Sequence, residues 1–165
     1  MVVVSDTTAI SNLLKLGKLH YLKEVFQNVI IPQEVYNELK PLKEFGFNLD
    51  EMENSTWIRI STVEKDDLYL DLLERLDLGE TEAIALSKKL HADFLIMDEK
   101  KGRIEASKLG IKTIGILGIL IQCRRLGICP NLKLEIDDLK NVAGFWINDG
   151  LYSEMLEIEK REFNI

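Results

Sequence analysis

Three acids in this sequence stand at junctions between an apolar run and a helical pattern, where carboxylates can meet at one edge of a sheet. Asp6 follows Val2-Val3-Val4-Ser5 and precedes Thr7-Thr8. Asp98 follows Phe94-Leu95-Ile96-Met97, and Glu80 opens a pattern whose small and apolar positions are Ala83, Ile84, Ser87 and Leu90. Short β-branched and apolar runs of this kind read as strands buried on both faces. A strand that stops on an aspartate puts a carboxylate in the crevice at the carboxyl edge of an open α/β sheet. From Glu80 to about His91 a helix descends about 18 Å, at about 1.5 Å per residue. The strand over 94–98 climbs back about 16 Å, at about 3.3 Å per residue. Glu80 and Asp98 therefore meet at one level, and Asp6 ends a strand at the same edge. Like charges gathered in low dielectric repel strongly, so the cluster needs a counter-charge. A hard divalent cation, Mg²⁺ or Mn²⁺, is the economical one, and it suits phosphoryl chemistry with an activated water.

Two further acids compete for the same role. Glu82 is about 200° from Glu80 around the helix, so the two do not easily face one crevice. Glu80 extends the inward stripe, whereas Glu82 lines up with Leu86 and Lys89 toward the outer flank, and this favours Glu80. Glu38 shares a helix face with Glu34 at i,i+4. It lies almost two turns into its helix, below the edge unless that helix tilts across. The plainer reading of Asp6 is a cap for the following helix, helped by Thr7 and Thr8. The return of Glu80 and Asp98 to the same edge is what favours chemistry.

The elements that must position these acids alternate between strand and helix. Strands are expected at the opening valines, at Val29-Ile30-Ile31, at Trp57-Ile58-Arg59-Ile60, at Phe94 to Met97 and at Ile111 to Ile114. Helical spacing runs from Ile10 to Leu16, from Leu19 to Phe26, from Pro32 to about Lys40, and from Asp66 to Leu76, where Leu76-Asp77-Leu78-Gly79 reads as a break. It resumes from Glu80, then over Lys100 to Leu109 and Leu117 to Leu126, with two amphipathic patterns in the tail, Leu134–Ala143 and Asn148–Glu162. The stretch from Pro41 to Thr56 is irregular and reads as a short helix within a loop, placed to serve as a flap. The very apolar helix at Leu117–Leu126 serves either as core or as a contact with a second subunit. Alternating buried strands and helices imply an α/β fold with a parallel sheet covered on both faces. No linker or internal repeat divides the chain.

The totals set limits. The chain has 165 residues, 46% hydrophobic and 30% charged, which is the composition and length of one globular domain. A net charge of −7 argues against a surface built mainly to grip polyanions, though acids gathered around a cation would contribute to that total. Cys123 and Cys129, with only His20 and His91 to join them, lack zinc-ligand spacing. The N-terminus carries no signal-like segment, and the longest apolar run, Ile114 to Cys123, is too short for a bilayer. A cytoplasmic protein without a membrane partner is expected.

Four segments follow one another over nearly the whole chain: Val4-Ser5-Asp6-Thr7-Thr8, Ile31-Pro32-Gln33-Glu34-Val35-Tyr36-Asn37-Glu38-Leu39, Leu78-Gly79-Glu80-Thr81-Glu82-Ala83-Ile84-Ala85-Leu86, and Leu95-Ile96-Met97-Asp98. In this order, on these elements, they resemble the PIN-domain nucleases, the fold of VapC-type toxins. The resemblance implies a three-layer α/β/α sandwich around a mainly parallel sheet, as one domain over 1–165 with 134–165 as a helical extension. It implies a ribonuclease site dependent on Mg²⁺ or Mn²⁺. By position, Asp6, Glu38, Glu80 and Asp98 match the family's catalytic carboxylates, with Asp6, Glu80 and Asp98 as metal ligands. Thr8 matches the hydroxyl residue that supports the first Asp, and Glu82 and Glu99 stand beside the set as supporting residues. The interval between Glu80 and Asp98 is similar to the family's. The implied partners are an RNA substrate, an antitoxin protein and a second copy of the chain. Two features depart from typical toxins: Glu99-Lys100-Lys101-Gly102-Arg103 after Asp98, similar to a less characterised PIN subgroup, and the longer tail from Leu134.

Two other functions stand against this one. An aspartyl-phosphate phosphatase or receiver-like domain would use Asp6 as nucleophile or phospho-acceptor, but the phosphatase pattern needs a second Asp where Thr8 stands. A non-catalytic PIN-like module would bind RNA or protein without cutting. Lys100, Lys101 and Arg103 are candidates for substrate binding, and Arg124 and Arg125 could also steer a phosphate backbone. The plainer reading of all five is solvated helix faces.

Overall fold

The computed structural model describes residues 1–163. Strands β1 (Val3–Ser5), β2 (Val29–Pro32), β3 (Ile58–Ser61), β4 (Phe94–Ile96) and β5 (Thr113–Ile114) form one sheet. Its order is β3-β2-β1-β4-β5, and every pairing is parallel. The helices are α1 (Thr7–Lys15), α2 (His20–Phe26), α3 (Gln33–Leu39), α4 (Asp50–Asn54) and α5 (Asp67–Leu73). They continue with α6 (Leu78–Lys89), α7 (Lys100–Lys108), α8 (Ile116–Arg125), α9 (Leu132–Asn141) and α10 (Asp149–Phe163).

The valine run is apolar without alternation because both sheet faces are covered. Successive strand residues point to opposite faces, and the two cores divide accordingly. Val3 and Ile96 pack with Ile10, Leu13, Ile119 and Ile136, whereas Val4, Leu95 and Met97 pack with Leu72, Ile84 and Ala106. The result is the three-layer α/β/α sandwich with a parallel sheet. Each fully buried Val or Leu contributes about 1.5–3 kcal/mol relative to exposure, so the short central strands are held by their two covered faces.

The sheet order places the reversal of connection direction between β1 and β4: from β1 the chain moves outward to β2 and β3, and from β4 to β5 on the other side. A crevice opens at such a switch point, outside the carboxyl ends of the strands. Ser5 pairs with Ile96, so Asp6 and Asp98 leave the two central strands at this edge.

Several elements differ from the sequence expectation. Helix α6 begins at Leu78 and not at Glu80: Asp77 caps it through a bond from the Glu80 N–H (2.8 Å), so the supposed break is a helix start. The stretch after Pro41 is no flap. A 3-10 segment over Lys40–Phe45 and α4 cover it, Leu49 and Met52 are buried in the larger core, and the Tyr36 hydroxyl donates to Glu53 (2.8 Å). Only Thr113 and Ile114 of the expected last strand join the ladder. In α8, Ile116, Ile119, Leu120 and Cys123 are core residues of the chain itself.

The tail from 134 shares this core through Ile136, Leu139, Ile147 and Met155; residues 164 and 165 of the expected extension lie outside the described ones. Partly buried ion pairs, with their carboxylates buried, tie the tail down. Glu135 accepts from Lys18 Nζ (2.7 Å) and the Tyr21 hydroxyl (3.1 Å), and Glu159 from Arg124 Nε (3.0 Å) and the Leu132 N–H (3.2 Å). Cys123 and Cys129 are free and buried in the same layer, and burial pushes their thiols up to about 12 and about 11. Among the described residues no helix is long and apolar enough to cross a membrane.

Candidate active site

Asp6 leaves β1 and caps α1, its carboxylate accepting the Thr8 N–H (3.2 Å). The cap expected from the sequence is present, and it lies at the crevice of the sheet edge. Asp6 is only 2% exposed. Burial first, then the charges of Asp98 and Glu80, hold its carboxyl well above the usual range, while the amides of Ala9 and Thr8 pull it down.

Asp98 is clamped by the first turn of α8, where the Ile116 N–H reaches both carboxylate oxygens (3.0 and 3.3 Å). A Cβ on Gly115 would lie 2.6 Å from Asp98 Oδ1, so only glycine admits the carboxylate here. Burial pushes Asp98 up to about 6, against the opposing pull of the Ile116 amide and Arg103.

Glu80 reaches back to the Asp77 N–H (3.3 Å) and closes a capping box with it. Its pKa is raised by burial and by Asp77, with Glu99 and Glu38 adding further like charge. Glu99 is exposed and precedes α7.

Glu38 is brought to the edge after all. Helix α3 carries its carboxylate to the first turn of α6, where a Cβ on Gly79 would fall 2.6 Å from both oxygens, and the Thr7 hydroxyl donates to it. Most of the side chain is open, but the carboxylate itself is desolvated there, which raises its pKa; Thr7 opposes this, and Asp77 and Glu34 add to it. Thr7 was missed by sequence reasoning, since its partner comes from a helix packed across. The Thr8 backbone, and not its hydroxyl, bonds Asp6.

Glu82 does not lie on an outer flank. It is 9% exposed and accepts the Glu34 N–H (3.0 Å) at the start of α3, a group with no partner inside that helix. The buried end of this carboxylate fixes α3 to α6, which is what delivers Glu38.

A cleft of about 840 Å³ runs from Asp98 to the loop between α9 and α10. Lys100 and Arg103 line it, together with Lys15, which no local pattern singles out. Lys101 does not; it faces a separate hollow beside Glu74 and Arg75. Arg124 and Arg125 are ion-paired with Glu159 and Glu162 of α10, so they are not open to a phosphate backbone.

The donor set fits a hard divalent cation: carboxylates raised in pKa chiefly by burial at one edge, with nearby acids adding to it and neutral donors as their hydrogen-bond partners. Their present rotamers are spread over those donors, Glu80 on Asp77 and Asp98 on Ile116. Among the described residues no three His, Cys, Asp or Glu side chains are already grouped to hold an ion.

Comparison with known proteins bears on what this edge is for. A family model, DUF3368, described as a PIN domain, matches residues 2–161. A solved structure of a PilT N-terminus domain protein from the hyperthermophilic archaeon Sulfolobus solfataricus P2 is similar at a TM-score of 0.56 and 20% identity, over 73% of this chain and 92% of that one. That likeness concerns the fold. No curated protein matches the chain.

Proposed function

The chain belongs to the PIN-domain family, and from that premise we propose that it is a divalent-metal-dependent ribonuclease working at the β1–β4 edge. The family's members are generally nucleases, and RNA as substrate is our reading. The observation that carries it is Asp6: a carboxylate almost wholly buried, with Asp98 and Glu80 acting on it as like charges and amides as its hydrogen-bond donors. A fold keeps such an arrangement at a cost in stability, and the cost makes sense where an outside cation completes the site.

Asp6, Glu80 and Asp98 would hold Mg²⁺ or Mn²⁺. When bound, such an ion polarises a phosphoryl oxygen and lowers the pKa of a water. The residues of the chain do the rest. Glu38, steadied by Thr7 and by Gly79, brings a fourth carboxylate to the rim. Glu82 fixes α3 against α6. Lys100 and Arg103 draw a phosphate backbone to the wall beside Asp98. VapC-like toxin activity, with an antitoxin as partner, is a narrower form of the same proposal.

A second reading has a specific observation in its favour. The capping box of Glu80 and the two bonds on Asp98 are what structural acids would make, as in a module that binds without cutting. Asp6→Asn decides between them. Expected are loss of single-stranded RNA cleavage in Mn²⁺ and loss of the calorimetric heat of Mn²⁺ binding. Equal metal affinity and equal cleavage in both proteins would overturn the nuclease site.

A further inference from the structure

The sequence has two tryptophans in opposite situations. Trp57 is 6% exposed within the larger core, whereas Trp146 is 80% exposed. Trp146 sits in the irregular stretch between α9 and α10, after Gly144, whose backbone turns through φ +76°. Its neighbours Ala143 and Ile147 are buried, so the loop is anchored on both sides while the indole stands out in solvent. One exposed apolar ring is ordinary on a protein surface, so its meaning here depends on what lies beside it.

The surroundings of the ring indicate a use for it. Trp146 lines the same cleft as Asp98, and Lys15, Lys100 and Arg103 line it too. None of the three cations forms a direct ion pair among the described residues, though Arg103 lies near enough to Asp98 to pull its pKa down, whereas Lys18, Arg124, Arg125 and Lys133 are paired. In a chain of net charge −7, this cleft gathers three such cations beside the acids Asp98 and Glu99. Unpaired cations that track a backbone, beside an aromatic face open to stacking, are the combination that holds single-stranded nucleic acid. A duplex keeps its bases stacked on each other and has none to offer the ring.

We propose that Trp146 is a base-stacking subsite: an unpaired base of a single-stranded RNA stacks on its indole while Lys15, Lys100 and Arg103 hold the adjoining phosphates and lead the strand to Asp98. This rests on the nuclease reading for its direction along the cleft, and it makes the enzyme selective for unpaired strands. The tail from α9 onward then has a task at the site, because it carries the ring.

The ring supplies its own readout. Titration of the full chain with a short single-stranded oligoribonucleotide, in chelator and again in Ca²⁺, should quench the Trp146 emission and leave that of buried Trp57 as reference. Trp146→Ala, a change at an exposed loop position, should weaken binding measured by anisotropy of labelled RNA about tenfold, within the range for loss of one stacked base. Trp146→Phe should recover most of that. The dependence of binding on salt should be unchanged in both, whereas Lys15→Ala should reduce its logarithmic slope by about 0.7, the value for one phosphate on a single strand. Wild-type affinity in Trp146→Ala, equal quenching by a duplex of the same sequence, or no quenching in either condition would overturn the subsite. Cleavage in Mn²⁺ is scored separately. A wild type that cuts RNA while Trp146→Ala binds it unchanged loses the subsite alone. A wild type that binds through Trp146 and cuts nothing loses the nuclease reading alone.

Discussion

The acids of the sheet edge and the acids of the tail are the same residue types under opposite management. In the tail, Glu135 meets Lys18, Glu159 meets Arg124, and Glu162 meets Arg125 through two bonds of 2.8 and 2.7 Å. At the edge, the hydrogen-bond partners of Asp6, Glu38, Glu80 and Asp98 are amides and one threonine hydroxyl. Only Arg103 brings positive charge near Asp98. These three tail acids are therefore neutralised by cations of the chain itself, and they serve as fasteners. The edge is left to be neutralised from outside. Burial of a carboxylate does not by itself mark function in this molecule, since Glu135 and Glu159 are buried too; what marks the edge is that none of its four acids is hydrogen-bonded to a cation of the chain.

The sharpest way to break that contrast is to remove one charge from each region. Arg124→Met should leave Glu159 buried and unpaired and cost about 3 kcal/mol in chemical denaturation, with cleavage per folded molecule preserved. Asp98→Asn keeps an acceptor for the Ile116 N–H and relieves repulsion. It should be at least as stable as wild type in chelator, lose the rise in melting temperature that Mn²⁺ gives the wild type, and lower cleavage about a hundredfold or more. If Asp98→Asn were the destabilised protein and the wild type ignored Mn²⁺, both regions would be scaffolding.

A pH series sharpens the same comparison. The folded-state pKa of Asp98, about 6, lies above the ordinary 3.8 of the unfolded chain, so the folded form keeps its proton longer. The stability this contributes is fully present below about pH 4 and lost as pH rises through about 6, worth at most about 3 kcal/mol. Asp137 and Glu162 in the tail are shifted down, chiefly by hydrogen bonds from Lys133 and Arg125, and act in the opposite sense, losing their contribution as pH falls. The effect is thus best read as a difference: in chelator, wild type minus Asp98→Asn should decline between pH 4 and about 6. A flat difference would mean that Asp98 is not desolvated.

The smallest expected change in stability comes at the second of the two glutamates of α6. Glu82→Gln keeps an acceptor for the Glu34 N–H and should cost about 1 kcal/mol or less while cleavage survives. Glu80→Gln should abolish cleavage. The reverse pattern in an RNA assay would exchange their roles.

How far these regions could be read from sequence follows from the range of the interactions involved. The central strands are legible because Val3, Val4 and Leu95 to Met97 are buried between two covered faces, and burial writes itself into residue type. Asp6 and Asp98 were legible with them, as the residues at which those runs stop. The start of α6 was misread because Gly79 in the first turn looked like a breaker; the signal available was Asp77 with Glu80 three residues on, a capping box with Asp in place of Ser or Thr. The bond from Thr7 to Glu38 and the anchoring of α3 by Glu82 depend on how α3 lies against α1 and α6, and no local pattern encodes that. Trp146 gave only an aromatic beside a glycine, since exposure is a property of the finished fold.

The two thiols of the tail layer carry one more consequence. With Cys123 and Cys129 buried and their pKa values near 12 and 11, almost no thiolate exists at neutral pH and no reagent reaches the sulfur while the layer is closed. Their rate of alkylation is therefore a clock for the opening of the helices around them, and it runs without any label added to the chain. Because the sheet edge contains no cysteine, that clock times the fastened region alone: a cation at the acids will slow it only as far as the opening of the tail and the opening of the edge are one event.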